Sequence, residues 1–461
     1  MSQRHDRLMP ASLFARSALV TGAALALGLL HACSATSPAN LASSTSPAAP
    51  VTAMPTGVDA ASNGGEMDAI NLTAENVAVA TTVEPTIIDT RTFASQRQLP
   101  TFHDGPTNFI KNELPKHSRD KSMPDGPMAL EEFAIGELAD FERAQPGMQF
   151  PTIGQTPWQP PDPALAVGPE HVVVTVNMAV AFYTKDGVEQ FSAPLNDTGN
   201  PGFFEDVGAG GFTLDPKCFY DHQSGRFFIL ALECYSPSES WITIAISDDD
   251  DPNGVWYKYR TPSVVNVNGT TYWVDYPGLG FDEKGIYTTG NLFRLEGPGG
   301  GFAGVLFRLF DKTPLLTGST ATFIDIRRGD AASVHAAQHF GENPAAIFVS
   351  VQNGSQMRVW GIQNPMTAPT VGFSNVNIPS FSGDNVEAPN LGGETVTTLP
   401  GRIMNTAWRD SSLLLAHTTN TNGRAVARWY EFDTGNWPAS GPVPSLVQSG
   451  AIDAGPGEHT F

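Results

Sequence analysis

A chain of 461 residues with 45 Gly, 37 Pro and only 16% charged residues is rich in turn formers and poor in the charged faces of a helical bundle. Its 47 acidic against 26 basic residues give a net charge of −21, the wrong sign for a phosphate backbone. The composition therefore excludes nucleic acid as a partner and favours an all-β fold.

In chain order, Arg4, Arg7 and Arg16 precede a short apolar run, Ala18–Leu30, too brief to span a bilayer as a mature helix. The run ends in Leu30-His31-Ala32-Cys33, which resembles the lipobox of bacterial lipoproteins. That resemblance implies a signal peptide over 1–32, a lipid on Cys33 and, with Ser34 next, anchoring at the outer membrane, periplasmic or surface exposed; ordinary cleavage near Ala32 or Ala35 would instead give a secreted protein. Residues 33–65 read as a flexible Ala/Ser/Thr/Pro linker. Residues 66–156 read as a weakly ordered extension wrapping the body, with strands expected over Val77–Thr82 and Pro85–Asp89 and a short amphipathic helix over Met128–Arg143.

The body, 157–461, is organised around Leu214–Arg260. Four β-rich runs, Leu214–Asp221, Arg226–Glu233, Trp241–Ser247 and Val255–Arg260, are separated by the turns His222–Gly225 and Asp248–Gly254. Pairing Asp221 with Arg226 puts Cys218 opposite Ile229 and leaves Cys234 five residues away, about 17 Å at strand rise. A disulfide needs Cα atoms within about 7 Å, so two free buried thiols are expected.

The meander recurs. Third-strand anchors stand at Phe182, Ile246, Phe310, Ile362 and Phe432, separated by 64, 64, 52 and 70 residues. First strands are marked at Asp162-Pro163, Asp215-Pro216, Asp275-Tyr276-Pro277, His335 and Glu387-Ala388-Pro389. Five four-stranded units at this period predict a β-propeller, with a sandwich or β-helix as the alternative. Gly457–Phe461 reads as the start of a sixth first strand, in a ring either six-bladed or truncated.

On Pro160–Asn177, Leu214–Phe228, Ile246–Tyr259 and Asp275–Asn291, the body resembles uncharacterised exported bacterial β-propeller proteins, distantly sialidase-like. Ser247, Asp249 and Gly254-Val255-Trp256 are similar to an Asp-box turn, longer than the usual form. The resemblance implies fold and export. The arginine cluster and the Arg-Ile-Pro signature of sialidases have no counterpart here.

In a propeller, first-strand starts and second-strand ends meet at one mouth of the central channel. The expected rim is Asp162, Asp215, Asp275, His335, Glu387 and His459 from the former, with Asn177, Glu233, Asn291, Gln352 and His417 from the latter. Three readings stay open. Asp before Pro caps turns; clustered oxygen donors suit calcium, and nearby His zinc; paired carboxylates suit glycoside hydrolysis. Asp248–Asp251 lacks EF-hand spacing and reads as a solvated turn; Gly297–Gly301 has no helix after it and reads as a loop. No Gly-x-Ser-x-Gly elbow or Walker loop occurs. The sequence thus points to a membrane-anchored propeller binding glycan or protein at the cell surface, with a glycoside hydrolase as the alternative and a calcium-stabilised scaffold as the third reading.

Overall fold

The computed structural model describes residues 80–93, 107–108, 149–154, 156, 158–195, 202–210, 212–236, 238–294, 301–389 and 395–461. The signal, linker and Met128–Arg143 expectations lie outside the described residues, as does most of Gly297–Gly301.

The fold is a β-propeller of four-stranded antiparallel blades, five of them described. Blade 1 comprises Ala164–Val167, His171–Val176, Ala179–Thr184 and Glu189–Pro194, and blade 2 Thr213–Asp221, Arg226–Ser236, Glu239–Ser247 and Val255–Pro262. Blade 3 comprises Thr270–Phe281, Gly285–Phe293, Phe302–Asp311 and Ala321–Arg328. Blade 4 has a short innermost strand, His335–Ala336, then Ala346–Asn353, Gln356–Gln363 and Thr370–Asn377; blade 5 has Ile403–Arg409, Ser412–Thr421, Arg424–Asp433 and Ser445–Ile452. At the far end of the channel the inner strands of blades 3, 4 and 5 join in parallel through Phe281, Gln338 and Ala407.

The apolar pattern explains the stacking. Arg226–Ser236 is buried on both faces: Phe228, Leu230 and Leu232 enter a core shared with blade 3, while Phe227, Ile229 and Ala231 enter one shared with blade 1. A run apolar at every position is what a strand between two layers requires. Ile242, Ile244 and Ile246 alternate into the blade 3 side. Two more cores lie between blades 3 and 4 and between blades 4 and 5. All five third-strand anchors, Phe182, Ile246, Phe310, Ile362 and Phe432, are fully buried. The Asp221–Arg226 register holds, Cys218 faces Ile229, and Cys218 and Cys234 are buried thiols outside any disulfide.

Two early segments finish the outer edges. Thr86–Asp89 pairs with the outer strand of blade 2, and Thr81–Val83 with that of blade 3. Thr86–Asp89 lies within the expected Pro85–Asp89, and Thr81–Val83 overlaps the end of the expected Val77–Thr82, of which 77–79 lie outside the described residues.

Three first-strand assignments need correction. Glu387 does not open the inner strand of blade 5; it lies exposed in a separate hairpin, Glu387–Pro389 with Thr395–Thr397, where Thr395 Oγ1 donates to its carboxylate. The Glu-Ala-Pro sequence mimics a blade opening, but the inner strand runs from Ile403 to Arg409. His459 and Thr460 do not open a sixth blade. The backbone N–H of Ala425 donates to His459 Nδ1 at 3.1 Å, and the Thr460 N–H donates to the Ala425 carbonyl at 3.0 Å, which lays the segment along blade 5. In blade 3 the counterpart of Asp162 and Asp215 is Tyr276, not Asp275. These residues share positive φ values of 41°, 50° and 57°, each immediately before a proline.

Candidate functional site

The starts of the inner strands do bring Asp162, Asp215 and Asp275 together at one mouth. Asp215 is central, hydrogen-bonded through its side chain to both Asp162 and Asp275. All three keep part of their surface in contact with solvent. Burial, and then the neighbouring Asp162 charge, push Asp215 up to about 7. Burial also raises Asp162, opposed by Lys217 and by its hydrogen bonds to Asp215 and Asn177. Two carboxyls in contact cannot both ionise cheaply, so the pair retains a proton.

The backbone that presents this cluster is strained. Positive φ is unusual for residues other than glycine, tolerable for Asp and costly for Tyr, and such outliers persist where surrounding structure enforces them. Asn177, at the end of the second strand of blade 1, supplies part of that enforcement. Its Nδ2 donates to Asp162 Oδ2 at 2.7 Å and to the Pro160 carbonyl at 3.0 Å, while its Oδ1 accepts the Asp215 N–H at 2.7 Å. Asn291 repeats the arrangement between blades 3 and 4: its Oδ1 accepts the Ser333 N–H at 2.8 Å, and Ser333 has φ of 47°.

The other expected rim residues fall in three settings. His335 is buried beside the site, within the field of Lys217, with its Nδ1 3.1 Å from the Ala336 carbonyl; burial lowers it to about 4. Glu233 is fully buried and directed along its blade to the outer strand, where Arg260 holds it through Nε at 3.0 Å and Nη2 at 2.8 Å. Tyr235 also donates to it at 2.7 Å. His417 faces the Tyr430 hydroxyl at 3.2 Å within blade 5.

Two residues near the mouth escaped the sequence reading. Tyr276 reaches across the axis, its hydroxyl donating to the Ile403 carbonyl at 3.2 Å, with the Arg402 guanidinium 4.8 Å from its ring centre. Burial raises Tyr276 to about 12. The Tyr-Pro pair, matched to the two Asp-Pro pairs, was the available signal for its position.

Among the described residues, no group of three or more His, Cys, Asp or Glu side chains is disposed to hold a metal ion. In the acidic turn, Asp248 Oδ1 accepts the Val255 N–H at 3.0 Å, and Asp249 Oδ1 accepts the Asp251 N–H at 2.9 Å. These carboxylates cap the turn, as short polar side chains commonly do.

No protein-family model matches the chain, and no curated protein matches it. Solved structures similar to it include an exo-β-1,3-galactanase from Clostridium thermocellum, 12% identical over 62% of each chain at a TM-score of 0.33. An arabinanase from Bacillus subtilis is 12% identical over 62% of this chain and 96% of its own, at a TM-score of 0.27. A xylan β-1,4-xylosidase from Bacillus halodurans is 12% identical over 65% of this chain and 58% of its own, at a TM-score of 0.31. The chain thus spans less than two thirds of the galactanase and of the xylosidase. Likenesses this distant carry no argument about chemistry; the propeller assignment rests on the order of the sheets.

Proposed function

We propose that the mouth formed by Asp162, Asp215 and Asp275 is the acid–base site of a glycoside hydrolase. The observation that supports this is Asp215, hydrogen-bonded between two carboxyls and holding its proton up to about pH 7. A general acid is most useful when its pKa lies near the working pH. Asp162 and Asp275 both interact with Asp215, so the three carboxyls stand close enough to act on one glycosidic bond. Asp215 delivers its proton to the departing glycosidic oxygen. The ionised carboxylate of the cluster takes a proton from the attacking water, whose oxygen bonds to the anomeric carbon as the glycosidic bond breaks.

A binding-only role for glycan or protein is the second reading. It is favoured by the direct contact of Asp162 with Asp215, which leaves no room for water between those two. A chromogenic-glycoside screen from pH 4 to 9 separates the readings, run beside a glycan array. Turnover lost in Asp215→Asn supports hydrolysis; retention on the array without turnover supports binding alone. The export reading belongs to the proposal as well: a lipid on Cys33 would tether the propeller to the cell envelope, and Cys33→Ser should move it to the soluble fraction.

A further inference from the structure

The opposite end of the channel carries a second depression. It has a volume of about 500 Å3 and lies among the first-to-second-strand turns of blades 2, 3 and 4. Seven residues of inner strand separate Asp215 from His222 on its wall, roughly 23 Å at strand rise. The lining includes His222, Gln223, Glu283, Lys312, Phe340 and Glu342.

Lys312, Gln223 and Ser224 in this lining already have partners. Lys312 forms an ion pair with Asp221 at 2.5 Å, donates to the Asp282 carbonyl at 2.7 Å and reaches Gln223 Oε1 at 3.4 Å. Three partners exhaust an ammonium group, and Asp221 neutralises its charge. The Gln223 amide nitrogen donates to the His339 carbonyl at 3.3 Å, and Ser224 donates to Asp221. Two carboxylates of the lining stay open. Glu342 makes no hydrogen bond or ion pair among the described residues, and Glu283 meets only the exposed Lys284, at 3.2 Å. Between these acids lies a flat platform: the Phe340 ring, 40% exposed, stacks on His222 with centres 5.0 Å apart and planes within 15°.

Unspent carboxylates beside an exposed aromatic face call for a planar cation rich in donors. A guanidinium meets that description: it stacks on aromatic rings and pairs with carboxylates in a fork. We infer that this depression binds a guanidinium group, carried by a small molecule or by an arginine side chain of a peptide. The site is independent of the acid–base reading of the other mouth.

The test is isothermal titration of the whole protein with agmatine, with a blocked Ala-Arg-Ala peptide, and with N-carbamoylputrescine, which keeps the ammonium of agmatine but carries an uncharged urea in place of the guanidinium. Saturable agmatine binding that weakens at least about fivefold in Phe340→Ala and in Glu342→Gln is expected, with further loss in about 0.5 M salt. Asp215→Asn should bind agmatine like the parent, which keeps failure at either mouth distinguishable. Binding of the peptide at least as tightly as agmatine identifies a protein partner; preference for agmatine identifies a small ligand. Equal binding of the ureido analogue, full binding by both pocket variants, or no saturable binding of either cation overturns the inference. Phe340→Tyr, which keeps the ring, serves as the folding control and should retain affinity.

Discussion

One side chain, Asn177, couples Asp162 and Asp215 across two blades, donating to the carboxylate of the first and accepting from the backbone N–H of the second, both at 2.7 Å. The residue is 1% exposed, so neither bond is replaced by bulk water when the amide is removed. Asn177→Ala should therefore cost about 1–3 kcal/mol, the usual penalty for stranding buried polar groups, seen as a lower thermal midpoint at pH 7. Asn177→Asp should lower it further near neutrality, because it trades the donor to Asp162 for another carboxylate.

The proton on Asp215 has a signed effect on stability. Its folded pKa, about 7, lies above the unfolded carboxylate value of about 3.9. The folded state therefore holds the extra proton between those limits, and the associated stability is lost as pH rises through 7. Asp215→Asn removes this dependence. The midpoint of the variant minus that of the parent should increase from pH 5 to pH 8, read by differential scanning calorimetry in matched buffers; a flat difference would show that the carboxyl is not held protonated.

Three buried imidazoles act with the opposite sign. Burial lowers His335 and His339 to about 4 and His417 to about 3. An unfolded His titrates near 6.5, so the stability they contribute is complete above that value and lost as pH falls toward 4. Three imidazoles against the two raised carboxyls, Asp162 and Asp215, leave the chain acid-labile. The midpoint should drop between pH 6.5 and 4.5, and His417→Phe should make the drop shallower.

Arg308 clamps blade 3 to blade 2. The side chain is 2% exposed, forks onto Asp325 through Nε and Nη2 at 2.7 Å each, and donates to Thr261 Oγ1 and the Pro262 carbonyl at 2.7 Å. Arg308→Ala leaves Asp325 without its cation and should cost about 3–5 kcal/mol in urea unfolding. Arg308→Met combined with Asp325→Leu should cost less than Arg308→Ala alone, since removing both charges removes the stranded one.

Neither Cys218 nor Cys234 should react with a thiol reagent until the protein unfolds. Both are buried, and burial pushes the Cys218 thiol up to about 12, suppressing the reactive thiolate. Labelling in native buffer beside labelling in guanidinium would check this by mass, with two more adducts expected in the latter, whatever the state of Cys33.

Local chemistry determined which parts of this molecule could be read in advance. Strand boundaries around Leu214–Arg260 were legible because Gly, Asp and Pro punctuate runs whose burial demands Phe and Ile at nearly every position. The meeting of Asp162, Asp215 and Asp275 was legible because repeated blades place equal positions at one mouth. The choice of Glu387 failed because a three-residue Glu-Ala-Pro pattern satisfies the same local rule in a hairpin, and only tertiary packing selects Ile403–Arg409. The fate of Glu233 depended on Arg260, two strands away, which no pattern along the second strand could reveal. The positive φ at Tyr276 likewise follows from blade packing rather than from anything Tyr prefers.

The two short strands Thr81–Val83 and Thr86–Asp89 have a consequence for assembly. Their partners are residues 321–323 and 255–258, and Thr90 adds a backbone bond to the Gly254 carbonyl at 2.9 Å. A ribosome therefore makes the finishing strips for two blades well before it makes the blades that receive them. Until then those strips have no sheet to join. These early residues find their place only once residue 323 has been made, so a fault near residue 320 would strand a segment completed long before.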